Sequence, residues 1–389
     1  MPAGLTRRPR VATLILLATL LLAPALLAMD VRSQSVVSTV QLGPSYYGGP
    51  YSIAYDSSRG VLFVSEPYNG TVSVIADSTD SVIATLTVAQ LPPVGNVVYG
   101  AIAYDSGNGE VFVTDPYTDV ISVFSGTTYA SVANVTVSAT PGGLAYDSGK
   151  GEIFATDVAS DSVSVLSDST NSVVASIAVS GDPTGIAYDS ASGQLFVANN
   201  ANDSVSVISD SNDSVVATVH VGGSPIGVAY DAARGQVFVT DSDSAAVSVL
   251  SVATDKVVAN VSVGTYPTGV AYDPSTDEVF VSDSSANTVS VMSGTNDTVV
   301  GSLGVGGDPE GMAYDASTGD MYVANFYGES VSVVSATASP VSTTTTTSST
   351  TASSGSLVPS YLSIVTIDAA TIVLLLAVAM KRRASGPDR

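Results

Sequence analysis

From Ser35 to Ser335 the chain is built of short runs of β-branched and aromatic residues, broken at regular intervals by Gly, Asn, Asp and Ser. In the stretch Pro183–Gly222, PTGIAYDSASGQLFVANNANDSVSVISDSNDSVVATVHVG, four such runs fall at Gly185 to Tyr188, Gln194 to Ala198, Ser204 to Ile208 and Ser214 to Val221. Apolar residues that alternate or cluster over four to eight positions between turn formers predict strands. The unit therefore reads as four strands, a to d. An Asp-x-x-x-Gly turn joins a to b, as at Asp56 to Gly60 and Asp189 to Gly193. Glycine there permits positive φ, and aspartate bonds its own downstream backbone. Asp273 to Asp277 lacks the glycine, and Pro274 is expected to stiffen that turn instead.

The unit repeats. Tyr-Asp ends strand a at Tyr55, Tyr104, Tyr146, Tyr188, Tyr230, Tyr272 and Tyr314, with one interval of 49 residues followed by five of 42. A period of about 40 to 45 residues with strand-like content is that of a β-propeller blade. The expectation is an all-β, seven-bladed propeller of four-stranded blades spanning 35–335. Only strands a, b and c precede Ser335 in the last copy, whereas Ser35–Leu42, SVVSTVQL, matches strand d elsewhere, such as SVVATVHV at Ser214–Val221. The N-terminal strand should complete the last blade. The repeated tyrosines and the strand-b aromatics, Phe63 through Phe280 with Tyr322 last, are assigned to packing between blades.

The segment Pro183–Gly222, together with MYVAN at Met321–Asn325 and the run Val331–Ser335, resembles the YVTN-type propeller repeat of archaeal surface-layer and related exported proteins. That resemblance implies the propeller fold and a role in cell-surface adhesion or envelope structure. Where the family pattern has Asn after strand b, this chain has Glu66, Asp115, Asp157, Asn199, Asp241, Asp283 and Asn325. Such an oxygen set suits a hard cation such as Ca²⁺, and it equally suits turns and strand ends.

The flanks read as address and tether. Residues 1–30 carry Arg7, Arg8 and Arg10, an apolar run and small residues near Ala28, the layout of a signal peptide or, uncleaved, a signal anchor. Residues 336–356 form a Ser/Thr tract without periodicity, a stalk. Leu357 to Met380 is apolar enough to span a membrane, although Asp368 interrupts it at a cost of roughly 2.5–3.5 kcal/mol. Lys381, Arg382 and Arg383 open the tail 381–389, and by the positive-inside rule they stay cytoplasmic and leave the propeller outside. Six sequons, at Asn69, Asn134, Asn202, Asn212, Asn260 and Asn296, would then be open to glycosylation.

Charge narrows the partners. Between 35 and 335 four basic residues, Arg59, Lys150, Arg234 and Lys256, face 32 acidic ones, a net of −28. This field repels phosphate backbones and argues against nucleic acid. With no cysteine and one histidine, His220 on an outer strand, thiolate and histidine-rich metal centres and the common His relays lack material. No resident cofactor is expected.

Site evidence lies in departures from the repeat. On the face shared by the d-to-a and b-to-c connections, aromatics concentrate on blades seven, one and two: Tyr46, Tyr47, Tyr51, Tyr68, Tyr99, Tyr117, Phe326 and Tyr327, with Tyr266 the only one on the other blades. The insert Ala89–Gly100 lies there too. Such a sector suits stacking on sugar or protein. The expected function is an envelope-glycan- or protein-binding surface module. The alternatives are a carboxylate-dependent lyase or hydrolase using Glu66, Asp115 and Asp119, and a purely structural surface-layer component.

Overall fold

The computed structural model describes residues 34–44, 48–88 and 100–335. The proposed leader, stalk, spanning segment and tail lie outside the described residues, as do Tyr46, Tyr47 and Tyr99. Contacts group Met1–Pro340 apart from Val341–Arg389, and all described elements belong to the first group. No described helix is long and apolar enough to cross a membrane.

The described residues form seven four-stranded antiparallel sheets, each in the order a-b-c-d. Blade four runs through Pro183–Asp189, Gln194–Asn199, Ser204–Ser209 and Ser214–His220, so the expected strands stand with ends moved by one or two residues. Blade seven closes as expected: Ser35–Gln41 pairs antiparallel with Ser330–Ser335, and Val40 faces Val331. Val40 and Leu42 then join Tyr322, Val331 and Val333 in one apolar cluster with blade one. The chain thus enters and leaves this body at one place, since Ser35 pairs with Ser335.

Each blade interface is built around the same aromatic. Phe63, Phe112, Phe154, Phe196, Phe238, Phe280 and Tyr322 are fully buried, ringed by Val and Ile of strands b and c from the adjoining blades. Burying a ring of this size is worth several kcal/mol each time.

The Tyr-Asp dipeptide has a second task that the sequence did not disclose. The aspartate Oδ1 closes its own hairpin, accepting from the backbone two residues on, as in Ser58 N to Asp56 (3.0 Å) and Ala191 N to Asp189 (2.7 Å). The tyrosine hydroxyl turns to the aspartate of the preceding blade, Tyr146 to Asp105 and Tyr230 to Asp189, while Tyr55 and Tyr188 are shared between that aspartate (Asp315, Asp147) and one of their own blade, Asp77 (3.0 Å) and Asp210 (2.9 Å). Burial and then these carboxylates raise the tyrosines, Tyr230 to about 12. In the turn without glycine, Asp277 itself adopts φ 61° and bonds Asp273 O through its N–H (3.0 Å). Its carboxylate pairs with Arg234 of blade five. The left-handed aspartate, rather than Pro274, replaces the missing glycine.

A hydroxyl on strand b bridges neighbours nearer the axis. Thr240 Oγ1 accepts from Gly227 N (2.7 Å) within its blade and donates to Thr268 O (2.7 Å) of the next. Thr156 does the same with Gly143 and Thr184. A side chain at Gly227 has no room, since a Cβ there would stand 2.2 Å from Thr268 O. Blade four has Ala198 at the bridging position, and Thr184 on strand a reaches Pro225 O (3.2 Å) instead.

Strand d carries a bulge against strand c in every blade, and the extra residue, Val37, Ile83 and Val174 among them, points to solvent. A bulge interrupts the unpaired edge and blunts strand addition there.

Candidate functional site

The face bearing the b-to-c turns divides into two sectors. In blades three to six, strand b is followed by a short 3-10 turn, Val158–Ser160, Asn200–Asn202, Ser242–Ser244 or Ser284–Ala286. Each ends on a left-handed residue: Asp161, Asp203, Ala245 or Asn287. In blades one, two and seven the same link is a four-residue turn, at 67–70, 116–119 and 326–329. Those turns carry the aromatics.

Three of the expected residues meet directly. The Tyr68 and Phe326 rings lie 5.6 Å apart and tilted, and Phe326 packs edge-on against Tyr327 at 5.1 Å. These are favourable aromatic separations. Phe326 is held from behind by Gly48, where a Cβ would stand 2.1 Å from its Cζ. Burial raises Tyr68, and the Tyr327 hydroxyl adds to the effect; burial raises Tyr117, with Tyr68 and Asp115 contributing. Tyr117, on the next blade's turn, lies within electrostatic range of Tyr68. Tyr68, Tyr117 and Phe326 are half-buried, while Tyr327 is 72% exposed and forms the outward surface. Tyr51 sits at the entry to strand a of blade one, where it lines the axial cavity. Tyr266, the outlier on the opposite blades, is 47% exposed.

The carboxylates expected near this sector are turned inward. Glu66 accepts from Ser73 and from Asn69 Nδ2 (3.0 Å), and Asp115 accepts from Thr118 Oγ1 (2.6 Å) and Tyr117 N (3.1 Å). Asp119 receives Thr140 N at 2.7 Å. All three close turns with groups of the chain itself. The other members of the post-strand-b set behave alike: Ser164 donates to Asp157 (2.7 Å), Ser248 to Asp241 (2.6 Å) and Ser290 to Asp283 (2.7 Å). Each is buried and also held by the backbone of the link from the preceding blade, at Ser138, Gly222 and Gly264. Among the described residues no group of three or more His, Asp or Glu side chains is placed to hold a metal ion.

Around the axis, the first residues of the seven a strands enclose a cavity of about 150 Å³. One tier is Ser52, Ala101 and five glycines; the other is Tyr51, Gly142, Thr184, Ile226, Thr268 and Glu310, with Gly100 completing the sequence register. Glu310 is the one carboxylate of this wall. Burial lifts it to about 8, the charge of Asp308 adds to that, and Thr268 opposes it by hydrogen bonding. The sequence signal was available as a single acid at a position that is Thr, Ile or Gly in blades two to six, but only the closed ring shows that the position faces the axis.

The six sequon asparagines are all exposed. Asn134 and Asn260 each accept from a strand-c serine through Oδ1 (3.1 and 3.0 Å).

Fold and site together define a seven-bladed β-propeller with an aromatic sector on one face. No protein-family model matches the chain, and no curated protein matches it. Among solved structures, hydrazine synthase from Kuenenia stuttgartiensis is similar at TM-score 0.66 and 16% identity, over 76% of this chain and 98% of that one. At that identity the likeness shows the propeller alone, because propellers host unrelated activities. The fold implied by the YVTN-type resemblance is present, and no family model places the chain in that family.

Proposed function

We propose that this propeller is an exported, membrane-tethered recognition module of the cell surface that binds envelope glycan or protein through the aromatic face of blades seven, one and two. The observation that carries the reading is the Tyr68–Phe326–Tyr327 cluster, whose outermost ring is largely exposed on turns that differ in kind from those of blades three to six. Rigid, amphipathic rings on loops of a closed scaffold are suited to stacking on sugars and to protein contact. Strand c of blade seven ends at Ser335, at the end away from the Phe326–Tyr327 turn. Export and anchoring rest on residues 1–30 and 357–380 of the sequence.

The test is a glycan array and an envelope-fraction pull-down with the full-length chain, beside a variant carrying Tyr68→Ala, Tyr117→Ala and Tyr327→Ala. Loss of two or three stacking rings should weaken binding about tenfold or more while the thermal transition is retained. Undiminished binding by the folded variant would remove this face from the function.

A further inference from the structure

We infer that the ligand of this face is cationic, and that an amine group of it seats in the axial cavity against Glu310. The inference rests on the recognition reading and adds the chemical class of what is recognised.

The first observation is the placement of charge. All four basic residues of the body, Arg59, Lys150, Arg234 and Lys256, lie in a-to-b hairpins or at the start of strand d, the end opposite the aromatic turns. Three are already engaged there: Arg59 with Gly126 O and Tyr129, Lys150 with Asp210, and Arg234 with Asp231 and Asp277. Among the described residues the aromatic end holds acids and no Lys or Arg. A cleft walled by one sign of charge concentrates ligands of the other sign.

The second observation is the cavity. Its wall is narrow, glycine-rich and uncharged except at Glu310, and the aromatic residue Tyr51 lines it from the adjoining blade, with Gly311 N donating to Tyr51 O at 2.8 Å. Both are one-off residues at a position that is otherwise small or aliphatic, and both belong to the blades that carry the aromatic cluster. Carboxylate and aromatic residue together make a site for an ammonium group, which donates a charge-assisted hydrogen bond to the one and favours the face of the other. A hard divalent ion is less well served, because it seeks six to eight oxygens. The wall offers one carboxyl, and the carbonyls of Thr184, Thr268 and Glu310 already accept from Thr156, Thr240 and Ser282. The space admits a headgroup several waters in size and excludes a whole oligosaccharide. The remainder of the ligand would lie outside, on the face that carries the exposed ring of Tyr327. The upward displacement of Glu310 fits a carboxyl held without a counter-charge, which a bound cation would supply.

The experiment compares oligomers of glucosamine with the same oligomers N-acetylated, on the full-length chain at low ionic strength, beside Glu310→Gln and the triple tyrosine variant. Binding at least about tenfold tighter for the free-amine oligomer, with the preference abolished in Glu310→Gln, is the expected result. A second measurement, displacement of the free-amine oligomer by ethanolamine, shows that the headgroup alone competes, and it needs no variant. Equal affinity for both oligomers, or an unchanged preference in Glu310→Gln, overturns the inference and leaves the recognition reading standing if the tyrosine variant still loses binding. Failure of the free-amine oligomer to bind overturns the inference, and the recognition reading is then decided by the array alone.

Discussion

Asp241 shows how one residue type can be ill-suited to its place. It is fully buried, its Oδ2 accepts from Ser248, and its Oδ1 has no partner. Burial raises it to about 6, against the hydrogen bonds from Ser248 and Gly222. Blades four and seven put asparagine at the same position, and Asn199 satisfies both ends of its amide: Nδ2 donates to Ser180 O (2.8 Å), and Oδ1 accepts from the Ser206 hydroxyl (2.9 Å). Asp241→Asn should therefore stabilise, and the pH dependence follows from the direction of the shift. A folded-state value above the unfolded one near 4 means that this site's favourable contribution is complete below about pH 4 and is lost as pH rises through about 6. The variant should melt higher than the parent at pH 7, by up to about 2 kcal/mol in stability, and should lose that advantage at pH 4. Thermal melts of both proteins at the two pH values check it; equal gains at both would show that charge is not the cause. Asp157 and Asp283 are raised for the same reason, so the parent as a whole should be steadier in mildly acidic medium.

Between elements, the bridging hydroxyl of strand b is the feature to test. Thr240→Ala leaves Gly227 N and Thr268 O without their partner in a buried interface, at about 1–3 kcal/mol. Blade four shows the compensation, since Thr184 serves where Ala198 cannot. Adding Ile226→Thr, the position equivalent to Thr184, should recover part of the loss in a urea titration, and no recovery would mean that Thr184 does not act as a substitute bridge. This layer was only partly legible in the sequence. The period, the strand content and the closing strand were written in Tyr-Asp and in Ser35–Leu42, because local patterning alone decides them. That the Tyr55 hydroxyl serves Asp315, 260 positions away, is a property of the closed ring. So are the inward aim of Glu66 and Asp115 and the axial position of Glu310: carboxylates at a strand end read alike until the fold shows which way each one faces. The aromatic sector was legible because the other blades supply a template against which Tyr68, Tyr117, Phe326 and Tyr327 stand out.

At the scale of the whole molecule, seven blades are held in a ring by one strand borrowed from the far end of the chain. Removing residues 34–42 from the full chain would strip the partner from Ser330–Ser335, together with the Leu42 N to Glu329 O bond (3.0 Å), and would take Val40 and Leu42 from the cluster that joins blades seven and one. The exposed strand would have no bulge to blunt it, since the bulge lies in the deleted segment. An unprotected edge beside uncovered valines invites pairing between chains. The truncated protein should form dimers or larger species, and its unfolding should lose cooperativity. A synthetic peptide of residues 34–44 should restore the monomer and a single transition, as strand addition does at other free edges. Light scattering with calorimetry reads both. A truncated chain that stays monomeric with an unchanged transition would mean that the interfaces between blades, each centred on its buried aromatic, hold the ring closed without the borrowed strand.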